Sequence, residues 1–166
     1  MLAEAEMQVV GTDVAPNMVA IAREEVNGEF QVADMVSYQP EGTFDAIFVI
    51  YSQLGLTYPA FHKSAYGLAQ ALRPGGLFIV GQSPADEVPP NDSAWDETHS
   101  YVEGYNLPFW GEPFPTLVFT RQGQRKCLES MGLTVIYDTL DDFQQDSPKC
   151  DVEHQQYIIA RLNGME

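Results

Sequence analysis

The chain has 166 residues, 45% of them hydrophobic and 11% aromatic, which suffices to bury the core of one globular domain. Its 24 acidic residues outnumber its 8 basic residues, for a net charge of -16. Proteins bind nucleic-acid phosphates through basic faces, so this balance excludes nucleic acid as the expected partner. No apolar run reaches the ~20 residues of a membrane span, and the first residues are acidic where a secretory signal carries cations. The sequence therefore predicts a cytoplasmic protein without a membrane partner.

Apolar runs predict strands, in chain order, at residues 7–11, 30–32, 44–51, 77–81, 133–137 and 157–161. Amphipathic segments between them predict helices at residues 16–26, 60–72 and 123–131. The middle runs are continuously apolar, which is typical of strands that helices cover on both faces. This alternation of strands and helices predicts a single α/β domain over residues 1–166, with a Rossmann-like, doubly wound and mostly parallel sheet.

Residues 83–115 interrupt the pattern of strands and helices. They hold both tryptophans and a cluster of prolines, and they are predicted to be irregular. A long loop in a compact domain is usually functional or disordered, and the aromatic content of this one argues against disorder. We predict a lid-like insertion over a small-molecule substrate, with an apolar pocket formed by Trp95, Tyr101, Phe109 and Trp110. The alternative is that these aromatic side chains form a small satellite core.

The sequence offers few groups for covalent or metal chemistry. Cys127 and Cys150 lack the spacing of a zinc site or a disulfide framework, so neither a metal nor a disulfide is predicted. The histidines, whose unperturbed pKa is nearest neutrality, are His62, His99 and His154. His99 lies in the insertion and is the preferred candidate for a base, whereas surface or structural roles are expected for the other two.

Two of the predicted strands end beside an acidic residue. Asp13 follows the first strand and stands just before a helix, and Asp34 follows the second strand. In an open α/β sheet, ligands bind beyond the carboxyl ends of the strands, where a carboxylate can accept hydrogen bonds from both hydroxyls of a ribose. The alternative for Asp13 taken alone is a helix-capping or surface carboxylate.

These acidic strand ends combine with two further motifs, GTFD at residues 42–45 and LRPGGLF at residues 72–78. In this order and at these spacings, the four motifs resemble the class I S-adenosylmethionine-dependent methyltransferases, particularly the small-molecule group. The resemblance covers residues 9–82 and continues over residues 119–133, but it does not cover the insertion.

The resemblance implies that Asp13 binds the ribose hydroxyls of S-adenosylmethionine and that Asp34 accepts a hydrogen bond from the adenine amino group. The side chains packing beside these groups would be Val14, Met18 and Met35, and those facing the methionine part and the reacting methyl would be Tyr51, Ser52 and Gln53. Methyl transfer from a sulfonium is an in-line displacement, so the protein mainly positions the reactants and supplies an acceptor in the right protonation state.

The family's first strand and its glycine-rich loop should precede residue 7, where six residues stand. The resemblance thus predicts an N-terminally truncated domain that lacks both. In the family's sheet, that strand lies between the strands assigned to residues 7–11 and 44–51, so its removal leaves two apolar edges unpaired. We expect these two strands to pair directly or a second chain to fill the gap, giving a homo-oligomer. A chain that folds poorly alone is the third alternative.

Three functions remain open from the sequence. The first is methyl transfer from S-adenosylmethionine to a small-molecule acceptor, which the two acidic strand ends favour. The second is a methyltransferase-like protein without that activity, acting as a small-molecule cyclase or binding protein. The third is a noncatalytic interaction subunit that associates through an open sheet edge. The missing glycine-rich loop favours the second and third.

Overall fold

The computed structural model describes residues 7–109, 112–144, 146 and 152–164, and for residues 108 and 109 it describes the backbone alone. Contacts divide the chain into two compact units, Met1–Gln39 and Pro40–Glu166.

The first unit is built from strand β1 (Val10–Asp13), helix α1 (Pro16–Glu25) and strand β2 (Glu29–Val32). The strands are parallel, with Asp13 opposite Val32. The backbone N–H groups in the first turn of a helix have no partner within the helix. Proline, which lacks this group, therefore suits the first turn of α1. The Arg23 guanidinium donates to the Phe30 carbonyl at 2.9 and 2.6 Å, which joins the end of α1 to β2. Strand β1 begins and ends later than predicted, so Asp13 is its last residue.

The second unit contains a four-stranded sheet in the order β3, β4, β8, β7. These strands are β3 (Phe44–Ile50), β4 (Leu72–Gln82), β7 (Leu133–Gln144) and β8 (Val152–Leu162). Strands β3 and β4 are parallel, whereas β8 runs antiparallel to both β4 and β7. The expected α/β architecture is present, but the prediction of a mostly parallel sheet is wrong because the sheet is mixed. Strands β7 and β8 are antiparallel neighbours that follow each other closely in the chain, and antiparallel strands need only a short connection.

Two helices of the second unit supply its core together with the sheet. They are α2 (Tyr58–Gln70) and α3 (Arg121–Ser130). The side chains with no exposed surface include Phe61 and Ala65 of α2, Phe78 and Val80 of β4, Leu128 of α3 and Ile158 of β8. Helix α3 begins at a close contact: a Cβ added to Gly123 would lie 1.9 Å from the Ser100 carbonyl oxygen. The first turn of α3 therefore has room only for glycine at this position.

The proline-rich segment is not wholly irregular, which corrects the prediction for residues 83–115. After a short 3-10 helix (Ala85–Glu87) it forms an antiparallel hairpin of β5 (Tyr101–Phe109) and β6 (Glu112–Phe119). The prolines suggested an irregular segment, but each strand of a two-stranded ribbon has a free edge. At that edge, the N–H that proline lacks would not have bonded to the other strand.

The hairpin is joined to the segment between β3 and α2, residues 51–57. The Leu117 amide donates to the Leu54 carbonyl at 2.7 Å, and the Tyr58 amide donates to the Glu103 carboxylate at 2.6 Å. Leu54 also packs against a small hydrophobic cluster formed by Ala85, Val88, Val102 and Val118. This cluster fits the satellite-core alternative for part of the insertion.

Strands β1 and β3 belong to different sheets, so the direct pairing expected between them is not formed among the described strands. Strand β3 is a terminal strand of its sheet, and two of its apolar side chains, Phe48 and Ile50, are 48% and 39% exposed. An apolar terminal strand of this kind can template pairing with another chain.

Candidate functional site

The two acidic residues singled out in the sequence lie at the carboxyl ends of neighbouring parallel strands. Asp13 ends β1, and its Oδ1 accepts from the Ala15 amide at 2.8 Å. Asp34 lies just beyond β2, and its Oδ1 accepts from the Val36 amide at 2.9 Å. Both carboxylates are exposed, and within the described part of the chain their second oxygens make no hydrogen bond. One oxygen of each group is therefore held in place and the other remains open to a ligand.

The alternative that Asp13 caps α1 fits less well. The N-cap residue is Ala15, which makes no side-chain capping bond. The Asp13 carboxylate instead closes a turn of two residues ahead of the helix, a common role for aspartate.

The apolar residues predicted beside the carboxylates are accessible in the first unit. Val14 is 70% exposed and Met18 is 54% exposed, whereas Met35 is half-buried. Large exposed apolar side chains next to an open carboxylate are suited to packing against an apolar or aromatic ligand group.

Tyr51 and Ser52 follow β3 in the second unit. Tyr51 has a φ of 52°, which is uncommon for a residue with a side chain and marks a constrained backbone. Its amide donates to the Gly81 carbonyl at 2.9 Å, which places the end of β3 beside the end of β4. Burial raises the pKa of Tyr51, and the Tyr157 hydroxyl and the Glu153 carboxylate add to this effect. The Ser52 hydroxyl donates to the Ile50 carbonyl at 3.1 Å.

His99, the candidate base, is held in the turn that precedes the hairpin. Its ring stacks on Trp95 with 5.4 Å between the ring centroids, and its Nε2 lies 3.1 Å from the Pro90 carbonyl. A carbonyl only accepts, so this contact makes Nε2 the protonated nitrogen and leaves Nδ1 as the position able to take a proton.

The aromatic residues predicted to bind substrate have different surroundings. Trp95 donates from Nε1 to the Pro89 carbonyl at 2.8 Å and packs against the satellite cluster. Tyr101 stacks on Tyr58, with 4.3 Å between ring centroids and 5° between planes. For Phe109 only the backbone is described, and Trp110 lies outside the described residues.

A cavity of about 230 Å³ opens beside Tyr58 and Tyr101. Its lining includes Asp96 and Cys127. Burial raises the pKa of Cys127 to about 12, so this thiol is a poor nucleophile at neutral pH. Burial also acts to raise the pKa of Asp96, but hydrogen bonds from the Thr98 hydroxyl and from nearby backbone amides outweigh it and lower that pKa. Cys150, the other cysteine, lies outside the described residues.

His154 lies between two carboxylates rather than in a pocket. Its Nδ1 is 2.6 Å from Asp142 Oδ1, and its Nε2 is 2.9 Å from Glu87 Oε1. The pKa of His154 is raised mainly by its hydrogen bond with Asp142 and, to a smaller extent, by Glu87. The structural role expected for this histidine agrees with that geometry.

We expect the contribution of His154 to stability to depend on pH. Because its folded-state pKa is raised, the contribution is complete below the unfolded pKa of about 6.5 and is lost as pH rises through the folded pKa. Replacing His154→Asn should therefore lower the melting temperature at about pH 6 and have little effect at about pH 9. Thermal unfolding at both pH values measures this, with His62→Asn as control because the contact of His62 is with the neutral Ser130 hydroxyl. A loss independent of pH would contradict the ion-pair interpretation.

The sequence interpretation named Gln53 but missed three other glutamines that, like Gln53, are fully buried. Gln53, Gln82, Gln124 and Gln156 have no exposed surface. Glutamine is mostly a surface residue, so its position at the end of an apolar strand, as for Gln82, was the available signal.

Within the described part of the chain, no group of histidine, cysteine and acidic side chains could hold a metal ion. No helix in that part is long and apolar enough to cross a membrane. Paired parallel strands with acidic carboxyl ends, in an α/β fold, are typical of α/β proteins that bind nucleotides.

Comparison with known proteins narrows that class. Residues 1–76 match a family model described as a methyltransferase domain. A demethylmenaquinone methyltransferase of Thermus thermophilus is 33% identical over 111 residues, which are 63% of this chain and 47% of the relative. The chain thus spans just under half the length of this curated relative.

Solved structures share the fold over nearly the whole chain. A SAM-dependent methyltransferase of Methanosarcina mazei has a TM-score of 0.75 at 14% identity and covers 98% of this chain and 85% of its own. An S-adenosylmethionine-dependent methyltransferase of Clostridium acetobutylicum has a TM-score of 0.70 at 13% identity, with 98% and 78% covered.

These matches agree with the resemblance: the chain is similar in sequence to S-adenosylmethionine-dependent methyltransferases, and the solved structures show that it has their α/β fold. Other structures of this fold hold S-adenosylmethionine or S-adenosylhomocysteine. The ligand of these neighbours is the cofactor that the sequence resemblance implies for this chain.

Proposed function

We propose that this chain transfers a methyl group from S-adenosylmethionine to a small-molecule acceptor. The observation that carries the proposal is the pair of open carboxylates, Asp13 and Asp34, at the ends of parallel strands β1 and β2. The Thermus thermophilus relative, whose name gives demethylmenaquinone as the molecule it methylates, supports a small-molecule acceptor.

The residues of the first unit fit the adenosine half of the cofactor. Asp13 has a free carboxylate oxygen for the ribose hydroxyls, and the exposed Val14 and Met18 offer apolar surface. Asp34 would accept from the adenine amino group, with Met35 against the ring. When bound, S-adenosylmethionine supplies the electrophilic methyl group.

The sequence interpretation assigns residues of the second unit to the methionine part of the cofactor and to the acceptor. Tyr51 and Ser52 would contact the methionine part of the cofactor. The constrained backbone at Tyr51 sets the direction in which their side chains leave the main chain. We assign to His99 Nδ1 the removal of a proton from the acceptor, because Nε2 is engaged with the Pro90 carbonyl. Trp95 and Tyr101 are proposed to cover the acceptor as part of a lid.

Calorimetric titration of the full chain with S-adenosylmethionine and with S-adenosylhomocysteine tests the proposal. We expect micromolar binding of both ligands. The absence of heat at high ligand concentration would contradict the proposed function for this chain.

Association through β3 is a second candidate function, which the exposure of Phe48 and Ile50 on this terminal strand favours. We expect size-exclusion chromatography with light scattering to give a mass above that of a monomer. The double replacement Phe48→Lys and Ile50→Lys should restore a monomer, because charged side chains prevent pairing of strand edges. A wild-type chain that is monomeric at high concentration would count against this function.

A further inference from the structure

Three buried glutamines of the second unit have side-chain amide atoms without hydrogen-bond partners among the described residues. In the described part of the chain, neither Oε1 nor Nε2 of Gln53 and Gln124 is paired, and Oε1 of Gln82 is also unpaired. All three side chains have no exposed surface. Buried polar side chains are nearly always hydrogen-bonded, so such a group calls for a specific explanation.

Two of these glutamines belong to one polar network on the sheet. Gln82 ends β4 and donates from Nε2 to Gln156 Oε1 at 2.8 Å, and Gln156 donates to Asp138 Oδ1 at 3.0 Å. Asp138 is 7% exposed and pairs with Arg121 and Arg125 of α3. Gln124 lies between these arginines in the chain, and residues three or four apart share a helix face. The network thus links the end of β4 to α3, the helix that carries Gln124.

Gln53 lies at the same edge of the sheet. The hydrogen bond from the Tyr51 amide to the Gly81 carbonyl sets the carboxyl end of β3 beside that of β4, and Gln53 follows directly. The next residue, Leu54, is held by β6 through the amide of Leu117. In open α/β sheets the carboxyl edge is where ligands bind, so unpaired amides at this edge are placed for recognition.

We propose that Gln53, Gln82 and Gln124 recognise an uncharged polar group of the methyl acceptor, with an edge that both donates and accepts hydrogen bonds, such as an amide or a lactam. This inference rests on the proposed function. The unpaired atoms of these three glutamines are three carbonyl oxygens, which accept hydrogen bonds, and two amide nitrogens, which donate them. A carboxylate would leave the three acceptors unpaired and an ammonium would leave the two donors unpaired, whereas a neutral amide serves both.

Entry of the acceptor requires the β5–β6 hairpin to move. The amides have no exposed surface, and the hairpin is bonded to the segment that contains Gln53. The acceptor then supplies the hydrogen bonds that the closed form lacks.

Thermal unfolding of three matched variants tests whether the amides are unpaired. Gln53→Met and Gln124→Met remove amide atoms while keeping a similar side-chain length, so each should raise the melting temperature. Gln156→Met is the control, because the Gln156 amide both accepts and donates, and this variant should lower it. Lowering by all three variants would overturn the proposal, since the amides would then have partners in the native protein.

Side-chain amide signals of the full chain labelled with ¹⁵N-glutamine test recognition itself. The probes are benzamide, which is neutral and both donates and accepts, and benzoate, which has the same shape but only accepts. Benzamide should shift the signals of Gln53 and Gln124, which are assigned from their absence in the Met variants. Benzoate should leave these signals in place, and Gln53→Met should weaken benzamide binding about tenfold. Equal shifts with both probes, or none, would overturn the proposal.

Calorimetry with S-adenosylmethionine on the same samples separates the two claims. Cofactor binding without a benzamide response would remove the glutamine site and leave methyl transfer standing. A benzamide response without cofactor binding would support the glutamine site and contradict the proposed function.

Discussion

Replacing Asp13→Ala is expected to weaken S-adenosylmethionine binding about 100-fold, because hydrogen bonds to a charged group contribute roughly 1.5–3 kcal/mol each and two ribose hydroxyls would lose their acceptor. Calorimetric titration measures the change. The substitution also removes the turn closed by Asp13 and the Ala15 amide. Asp13→Asn keeps an oxygen for that amide and removes only the charge, so it separates the two effects.

Asp141→Ala is the matched control for this experiment. Like Asp13, Asp141 is exposed and accepts a hydrogen bond from a nearby backbone amide, that of Asp142 at 2.9 Å. It lies on β7 and has no proposed contact with the cofactor, so its replacement should leave affinity unchanged. If Asp13→Ala binds as tightly as Asp141→Ala, the proposed ribose contact is wrong.

Replacing Gly123→Ala is expected to destabilise the protein by about 3 kcal/mol or more. A new Cβ would lie 1.9 Å from the Ser100 carbonyl oxygen and 2.7 Å from its carbonyl carbon, and both are backbone atoms that cannot rotate away. For a chain of this size, the loss corresponds to a fall in melting temperature of roughly 6–12 °C. Thermal unfolding by circular dichroism measures this fall.

The direction of the change in melting temperature distinguishes a steric clash at Gly123 from the ordinary preference of a helix for alanine. Alanine is ordinarily better than glycine in a helix by about 1 kcal/mol. Gly67 in α2 provides the control, since a Cβ there meets nothing within 4 Å. Gly67→Ala should therefore raise the melting temperature, and an equal rise for Gly123→Ala would show that α3 does not approach Ser100 as described.

The parts of the fold that follow from local chemistry could be predicted from the sequence. Pro16 marks the start of α1, and apolar runs locate β3 and β4. The positions of Asp13 and Asp34 at strand ends follow from the same patterns. Each of these features depends on residues that are close together in the chain.

The parts that depend on distant contacts could not be predicted. Strand direction in the carboxyl-terminal half follows from how β8 pairs with both β4 and β7, and no single apolar run encodes this. The hairpin was not predicted because its strands contain prolines. Proline disrupts a central strand but is tolerated at the free edge of a two-stranded ribbon. The burial of Gln124 depends on what covers its helix face, and a polar residue in a polar helix gives no warning of it.

The two hydrogen bonds that join the hairpin to the segment after β3 have a mechanical consequence. Leu117 holds the segment after β3 near its middle, at Leu54, and Glu103 holds it at Tyr58, where α2 begins. Any displacement of the hairpin therefore pulls on the residues proposed to contact the methionine part of the cofactor. Under the proposed function, a movement of the hairpin that admits the acceptor would also change the contacts with the methyl donor, so the two binding events would be coupled.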